Sequence, residues 1–244
     1  RVTVQTPLSL VTEQLGLDHA DNLSSADWLS IPEQRLLTLT AGAVYHDGIG
    51  LEEVRQRFSY YPREVWLYLL ACGWARIGQE EHLMGRAGWV GDEVGSALIG
   101  ARLVRDIMRL CFLMERRYAP YPKWFGIAFK RLTCGPQLYP TLRKALSART
   151  WQMRQKHLIP AYEFIARKHN ALGLTKPLPD TTLEFFGRPF QVIALHGFAG
   201  ALLAEISDPA IAALPLIGSV DQWSDNTDLL ENNDLRSRIA SMYS

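Results

Sequence analysis

The sequence predicts a mainly α fold, a helical bundle preceded by a small α+β N-terminal part with two short strands. From Leu51 onward, apolar residues recur with the 3.6-residue period of amphipathic helices, and strand signals are scarce for more than a hundred residues. The two stretches with strand character, residues 1–6 and 41–48, both lie before that point. The expected architecture therefore changes near residue 50.

The N-terminal part contains two strand patterns and two helix patterns. Residues 1–6 alternate apolar and polar side chains, which predicts a half-buried strand that ends at a proline. One helix is predicted over 7–17, and a second over 27–39 with Pro32 at a position typical of a helix start. Residues 41–48 predict the second strand, closed by an Asp-Gly turn. Because the chain begins inside a strand pattern rather than at a methionine, we interpret it as part of a longer protein.

A bundle of helices with short connections is predicted for the middle of the chain. Each periodic segment presents one apolar face, and most are long enough to pack against several neighbours. The predicted helices are 51–57, 62–83, 91–117, 122–132, 138–147 and 149–171.

The C-terminal part is less regular. The segment 177–179 holds two prolines and predicts a loop, and residues 182–186 carry no clear pattern. An apolar helix interrupted by two glycines is predicted over 189–206, and a polar helical tail over 219–243.

Basic residues are concentrated in the middle of the chain. Residues 51–170 hold 20 Lys and Arg against 10 Asp and Glu, although the formal net charge of the whole chain is only +1. The flanking segments 1–50 and 171–244 are acidic. A cationic middle either binds an anionic ligand or meets the acidic flanks inside the fold. We therefore expect a small anionic ligand, such as a nucleotide, rather than a nucleic acid.

Cysteine usage and hydropathy indicate a cytoplasmic protein. The chain has three cysteines, an odd number that cannot all form disulfides, at Cys72, Cys111 and Cys134. They form no CxxC pair and lie in apolar surroundings, which predicts buried thiols in a reducing compartment. No apolar run approaches the roughly 20 residues that a membrane span needs, and no signal-peptide pattern is present. We therefore expect no membrane partner.

The stretch 115–125 combines cations, aromatic side chains and prolines where a long helix ends. Arginine and lysine hold phosphate or carboxylate groups, and aromatic faces stack on flat ligands. Arg116, Arg117, Tyr121 and Lys123 are therefore candidates for the wall of a nucleotide pocket. The alternative is a proline-rigidified connection between helices, with arginines that extend to solvent.

Four arginines mark one stripe of the predicted helix 91–117. Arg102, Arg105, Arg109 and Arg116 follow at steps of three, four and seven residues, which places them on one side at 100° per residue. Such a stripe needs anions, either acidic side chains from the flanking segments or a bound phosphate. Arg105 is therefore a further candidate for ligand binding.

The segment Gln79-Glu80-Glu81-His82 concentrates titratable groups near the end of a predicted helix. Glu81 is the one candidate for a catalytic role, as a general base that accepts a proton from a hydroxyl. His82 is a candidate ligand-binding residue. Because adjacent helical residues point about 100° apart and no HExxH spacing follows, no metal site is predicted. The alternative is a solvated helix end.

Six short segments carry a family resemblance: Asp27-Trp28-Leu29, Gly42-Ala43-Val44-Tyr45-His46-Asp47, Tyr60-Tyr61-Pro62, Gln79-Glu80-Glu81-His82, Tyr118-Ala119-Pro120-Tyr121-Pro122-Lys123-Trp124 and Arg188-Pro189-Phe190. Together they resemble an uncharacterised bacterial family, the DUF4037 domain, over most of the chain. Proteins of that family resemble nucleotidyltransferase-fold enzymes, in which a small mixed sheet precedes a helical domain, as in aminoglycoside nucleotidyltransferases.

The resemblance implies that residues 1–50 are the remnant of a nucleotidyltransferase-like α+β domain and that 51–244 form the helical domain. In the broader superfamily a Gly-Ser turn, an Asp-x-Asp pair and a later carboxylate hold the divalent metal ions that position a nucleoside triphosphate. This chain lacks that pattern, so the metal-binding half lies upstream or is lost. Mg²⁺ and nucleoside triphosphate are accordingly expected only in the full-length protein. By the same resemblance, Glu81 activates an acceptor hydroxyl and Lys123 contacts phosphates.

Two functional hypotheses follow. In the first, the chain is the substrate-side helical domain of a nucleotidyltransferase-like protein, inactive by itself, and Arg116, Arg117, Tyr121 and Lys123 line its anion pocket. In the second, it is a non-catalytic module that binds a protein or RNA partner through the arginine stripe. Self-association into a homo-oligomer is a third possibility.

Overall fold

The computed structural model describes residues 4–18 and 21–243, and it confirms a mainly α fold. Nine helices in the described residues precede the only sheet found there. In chain order they are α1 (Pro7–Leu15), α2 (Ser25–Ser30), α3 (Glu33–Thr40), α4 (Leu51–Arg57), α5 (Arg63–Trp89), α6 (Glu93–Met114), α7 (Pro122–Phe129), α8 (Gly135–Ser147) and α9 (Trp151–Ala171).

The remainder of the chain consists of a β-hairpin and short helical segments. The hairpin is antiparallel, with Leu183 opposite Val192 and Phe185 opposite Arg188. Its strands are β1 (Leu183–Phe185) and β2 (Arg188–Val192), followed by a 3-10 turn (Ala194–His196), α10 (Phe198–Leu203), α11 (Pro209–Ala212), α12 (Val220–Trp223), α13 (Thr227–Glu231), α14 (Asn233–Ala240) and a second 3-10 turn (Ser241–Tyr243).

Helix α5 forms the centre of the core. Every residue from Val65 to Trp74 is buried, and the helix packs along α6 and against α9 and α10. The Trp74 ring stacks on Phe198 at 4.1 Å between centroids, and its indole N–H donates to Nδ1 of His169 at 3.2 Å. Burial lowers the pKa of His169 to about 4, which keeps the ring neutral and able to accept that hydrogen bond.

Side-chain caps define where several helices begin. Thr6 and Ser24 form capping boxes at the starts of α1 and α2. Asp92 and Thr150 accept backbone N–H groups of Gly95 and Met153 at the starts of α6 and α9. Because of these caps, α6 and α9 each begin two residues after the predicted start.

The two strands predicted in the N-terminal part are wrong within the described residues. Residues 4–6 are not in a strand, and 1–3 lie outside the described residues. Residues 41–48 form a loop because their polar groups are used elsewhere. The Arg55 guanidinium donates to the carbonyl oxygens of residues 40–42 at 2.6–3.1 Å, and Asp47 accepts the N–H groups of Leu51 and Glu52 at the start of α4.

The single apolar helix predicted over 189–206 is also wrong. Its first part is β2, paired through a tight turn in which Phe186 and Gly187 both have positive φ, 50° and 72°. Two adjacent positive φ values are those of the turns that join antiparallel strands. The tail predicted over 219–243 is broken into short helices because Ser219, Asn226 and Asn232 each start a new one.

The C-terminal tail packs back onto the N-terminal helices. Arg236 forms an ion pair with Asp27 at 2.8 Å, and Asn233 donates to the carbonyl oxygen of Glu13 at 2.8 Å. The Arg35 guanidinium donates to the carbonyl oxygens of Gln14 and of Leu230 at 3.0 and 3.1 Å. The tail thereby lies beside the C-terminal half of α6, where it meets the arginine stripe.

Candidate anion-binding site

The end of α6 holds Arg116 in an unusual backbone conformation. Its φ is +52°, in the left-handed region that favours glycine, and the N–H of Arg117 donates to the carbonyl oxygen of Phe112 at 3.0 Å. This is the bond pattern with which many helices end. The Arg116 guanidinium lies over the rings of Tyr60 and Trp66, 5.2 and 4.9 Å from their centroids. A flat cation over two aromatic faces offsets part of the backbone cost.

Arg116 and Arg117 face a cavity of about 280 Å³ between this turn and helices α3 and α4. Both side chains are exposed, and neither forms an ion pair or a side-chain hydrogen bond within the described part of the chain. The other polar lining residues are Thr40, Glu52, Arg55, Gln56 and Ser59. We call this space the arginine cavity.

The third cation of the arginine cavity is already neutralised. Arg55 forms an ion pair with Glu52 at 2.9 Å and also donates to the carbonyl oxygens at the end of α3. Arg116 and Arg117 therefore keep guanidinium N–H groups for a further acceptor. The excess of positive charge in the cavity comes from these two residues.

Buried hydrogen bonds fix the wall that follows Arg117. The Tyr118 hydroxyl donates to the carbonyl oxygen of Phe58 at 3.0 Å, and the N–H of Ala119 donates to the Glu33 carboxylate at 2.6 Å. The N–H of Glu33 in turn donates to Asp221 at 2.8 Å. Helix α3, helix α12 and the turn after α6 are thus joined through the buried carboxylates of Glu33 and Asp221.

Glu33 and Asp221 form a buried carboxylate pair with Arg109 beside them. Burial, and then the negative charge of Asp221, raise the pKa of Glu33 to about 8, although Arg109 and the Ala119 N–H oppose the shift. Burial also raises the pKa of Asp221. Arg109 lies 3.7 Å from Glu33. Two adjacent buried carboxylates do not both ionise at neutral pH, so the pair retains a proton there.

Glu115 anchors the other side of the same turn. Its carboxylate accepts the N–H groups of Thr133 and Cys134 at 2.7 and 2.9 Å and forms an ion pair with Lys168 at 2.9 Å. Partial burial opposes ionisation, but Lys168 and these N–H donors outweigh it and lower the pKa of Glu115 to about 2. The turn is held from both sides, so its arginines are displayed by a rigid backbone.

The arginine stripe of α6 does not form one ligand surface. Arg102 forms an ion pair with Glu80 at 2.8 Å, Arg105 contacts Asp106 at 3.0 Å as well as Asp225, and Arg109 lies between Glu33 and Asp225. The three arginines are paired inside the fold, whereas Arg116 stacks on aromatic rings. Arg105 accordingly lies outside the arginine cavity.

Tyr121 and Lys123 do not line the arginine cavity. Tyr121 and Trp124 face a neighbouring cavity of about 400 Å³, which shares the wall residue Leu37 with the first. The Lys123 ammonium lies over the Trp124 ring at 5.1 Å from its centroid. Prolines on both sides of Tyr121 turn the chain away from Arg117, so only two of the four predicted wall residues meet.

Glu81 and His82 lie beside the β-hairpin, away from both cavities. The Glu81 carboxylate is buried and accepts the N–H groups of Ile193 and Ala194 at 2.8 and 3.1 Å, and burial raises its pKa to about 7. The His82 ring stacks on Phe185 at 4.2 Å. With both oxygens engaged and neither of the two cavities lined by it, Glu81 connects α5 to the hairpin, and the general-base hypothesis gains no geometric support.

This arrangement predicts that Glu81→Gln destabilises the protein by about 1–3 kcal/mol, because the new NH₂ group would face one of the two backbone donors. Urea unfolding with circular dichroism measures the loss. The exposed carboxylate of Glu184 in β1 provides the control, since Glu184→Gln leaves stability unchanged. Equal stability of Glu81→Gln and wild type would contradict the role of Glu81 as a connector.

Sequence reasoning missed the residues of α3 and α4 that complete the cavity. Thr40, Gln56 and Ser59 carry no motif, and Glu33 looks like any acidic residue in the first turn of a helix. One usable signal was the proline at 32, which places Glu33 at the start of a helix whose other face is apolar. Its burial depends on Asp221, 188 positions later.

Two further properties concern the described residues as a whole. Residues 4–18 and 21–243 contain no group of three or more His, Cys, Asp or Glu side chains that could hold a metal ion. Over the same residues, every helix is too short or too polar to cross a membrane.

Fold and site together define a mainly α protein with a rigid, arginine-lined cavity at the end of its second long helix. Residues 28–125 match the family described as "Domain of unknown function (DUF4037)", which confirms the resemblance for that segment. The match covers the chain from α2 into α7 and includes Glu33, Arg116 and Arg117. Comparison with curated proteins and with solved structures finds no match.

Proposed function

We propose that this chain binds a small anionic ligand in the arginine cavity and that Arg116 and Arg117 hold its phosphate groups. The observation that carries the proposal is the pair of guanidinium groups that face one cavity without a carboxylate partner among the described residues. Guanidinium groups match phosphate oxygens through paired N–H donors. The hydroxyl of Ser59 adds a neutral donor for the same oxygens, whereas the Thr40 hydroxyl already donates to the carbonyl oxygen of Leu36 at 2.8 Å.

The cavity suits a compact polyphosphate better than an extended polymer. Its volume of about 280 Å³ corresponds to about nine water molecules at roughly 30 Å³ each, and most of its lining is polar. A strong nucleic-acid binder would instead display a continuous cationic surface, whereas the α6 stripe is paired with internal carboxylates.

The resemblance supports a wider proposal, in which the chain is the substrate-side helical part of a nucleotidyltransferase-like protein. The phosphates held by Arg116 and Arg117 would then belong to a nucleotide. Mg²⁺ and the chemical step are assigned to the longer protein, and this chain alone is proposed to be inactive. Three buried, free cysteines support the cytoplasmic location included in this proposal.

Isothermal titration of ATP without Mg²⁺ and of inorganic tripolyphosphate into the chain tests the anion site. We expect both to bind, and Arg117→Gln to weaken each by about 10–100-fold, since a charge-assisted hydrogen bond contributes about 1.5–3 kcal/mol. Arg143→Gln, at an exposed position of α8, is the matched control with unchanged affinity. Absence of binding, or equal binding by the two variants, would contradict the proposal.

The interaction-module hypothesis loses its original basis. It required Arg105 and Arg109 as a free interface, but both contact carboxylates of the same chain. Val94 and Leu98 are among the exposed apolar side chains at the start of α6. Exposed apolar side chains favour self-association, which stays a prediction that light scattering can test.

A further inference from the structure

A second cavity, which we call the polar cleft, lies between α5, α6 and the segment before α13. Its volume is about 250 Å³, and it shares no lining residue with the arginine cavity. Apolar side chains of the segment 216–217 form one wall. The remaining lining residues are Cys72, Arg76, Gln79, Arg105, Gln222 and Trp223.

A much smaller space lies at the inner end of the polar cleft. Arg76 and Gln222 line both spaces, so the two are adjacent. The inner space measures about 10 Å³, enough for one oxygen-sized group. Asp106 and Arg109 face it from α6.

Two polar atoms on that inner wall are buried without a hydrogen-bond partner, Oδ2 of Asp106 and Nε of Arg109. Asp106 is only 4% exposed, and its Oδ2 forms an ion pair with Nε of Arg76 at 3.4 Å, outside hydrogen-bond geometry. Buried polar atoms normally have partners, because an unpaired one costs about 1–3 kcal/mol. Both residues line the same small space, one with an acceptor and the other with a donor that has no hydrogen-bond partner.

The chemistry of these two atoms selects the group that fits. An ammonium would donate to Asp106 but repel Arg109, and a phosphate or carboxylate would accept from Arg109 but repel Asp106. A hydroxyl donates to the first and accepts from the second. The arginines around the cleft also need no further anion, because Arg76 is paired with Glu80 and Arg105 with Asp225.

We propose that the polar cleft binds a small neutral polyhydroxylated molecule, with one hydroxyl between Asp106 and Arg109. The rest of the ligand occupies the outer cavity, which has the volume of about eight water molecules at roughly 30 Å³ each. There the exposed Gln79 side chain provides a further polar contact, and the partly exposed ring of Trp223 provides an apolar face for C–H groups. This site is independent of the anion site proposed above.

Saturation-transfer NMR on the chain, with glycerol, glucose and myo-inositol as probes, tests the proposal. We expect at least one of them to bind and Asp106→Asn to weaken it by about tenfold or more, because an amide cannot accept through its NH₂ group. Gln79→Ala is the second variant, since this exposed side chain forms no ion pair itself and accepts only a long hydrogen bond from Arg76 at 3.4 Å, and we expect a several-fold loss. Inorganic phosphate and ethanolamine should not displace the bound polyol.

Four results would overturn the inference. The first is no binding of any of the three polyols to a folded wild-type chain. The second is equal binding by wild type and both variants, and the third is displacement by phosphate. A crystal structure determined in the presence of the polyols could also show only one water molecule between Asp106 and Arg109. The inner space would then be a hydration site and not part of a polyol site.

Discussion

Glu33→Ala is expected to destabilise the fold by about 3–5 kcal/mol, because the truncation leaves a buried N–H group unpaired and a cavity in place of the side chain. The substitution leaves the Ala119 N–H without an acceptor and Arg109 without its buried carboxyl neighbour. It also removes the connection between α3 and the turn that carries Arg116 and Arg117. Urea unfolding monitored by tryptophan fluorescence measures the loss, and we expect tripolyphosphate affinity to fall with it.

Glu33→Gln separates the hydrogen bond from the charge. The amide oxygen can still accept the Ala119 N–H, so a much smaller loss than for Glu33→Ala is expected at pH 7, where the Glu33–Asp221 pair retains a proton. A folded-state pKa raised to about 8 contributes stability below the unfolded value of about 4.5, and that contribution is lost as the pH rises through 8. Wild type should therefore lose stability relative to Glu33→Gln between pH 4.5 and 8. Parallel pH profiles of the two proteins would refute a raised pKa of Glu33 in the folded state.

The second large effect is expected at Arg116, where backbone and charge can be varied separately. Arg116→Gly and Arg116→Ala both remove the guanidinium, so each should weaken tripolyphosphate binding by about 10–100-fold. They differ in the left-handed backbone, which glycine adopts without strain. We therefore expect Arg116→Gly to be more stable than Arg116→Ala by about 1 kcal/mol.

This pair distinguishes ligand binding from structure. Equal losses of affinity at unequal stability show that the cation itself holds the anion. If affinity instead followed stability, with Arg116→Gly binding like wild type, Arg116 would be a helix terminator stacked on Tyr60 and Trp66 and nothing more.

Local patterns predicted some elements well. Helix α4 has the predicted bounds 51–57, and α7 to α9 begin within three residues of the predicted positions, because their amphipathic periods and caps lie in the local sequence. The strand predictions failed because contacts between distant residues decide the structure of these segments. Residues 41–48 have a strand-like sequence, but in the structure the Arg55 guanidinium donates to carbonyl oxygens at the start of this segment. The apolar run after Pro189 is compatible with a helix or with the hairpin that forms.

The candidate site was predictable only in part. Composition alone drew attention to Arg116 and Arg117, because cations and aromatic residues cluster at the end of a helix. It also suggested Tyr121 and Lys123, which the prolines direct elsewhere. The cavity depends on α3 and α4, and its support depends on the Glu33–Asp221 contact across 188 positions. No local pattern encodes such distant pairings.

The most direct test of the anion site is titration of inorganic tripolyphosphate into wild type and an Arg116→Gly/Arg117→Gln variant at two salt concentrations. Tripolyphosphate carries charge without a base or sugar, so its binding reports on the two guanidinium groups alone. We predict measurable affinity for wild type that falls as salt rises, and loss of binding in the folded double variant. Unchanged, salt-independent affinity in the double variant would contradict the assignment of the arginine cavity as the anion site.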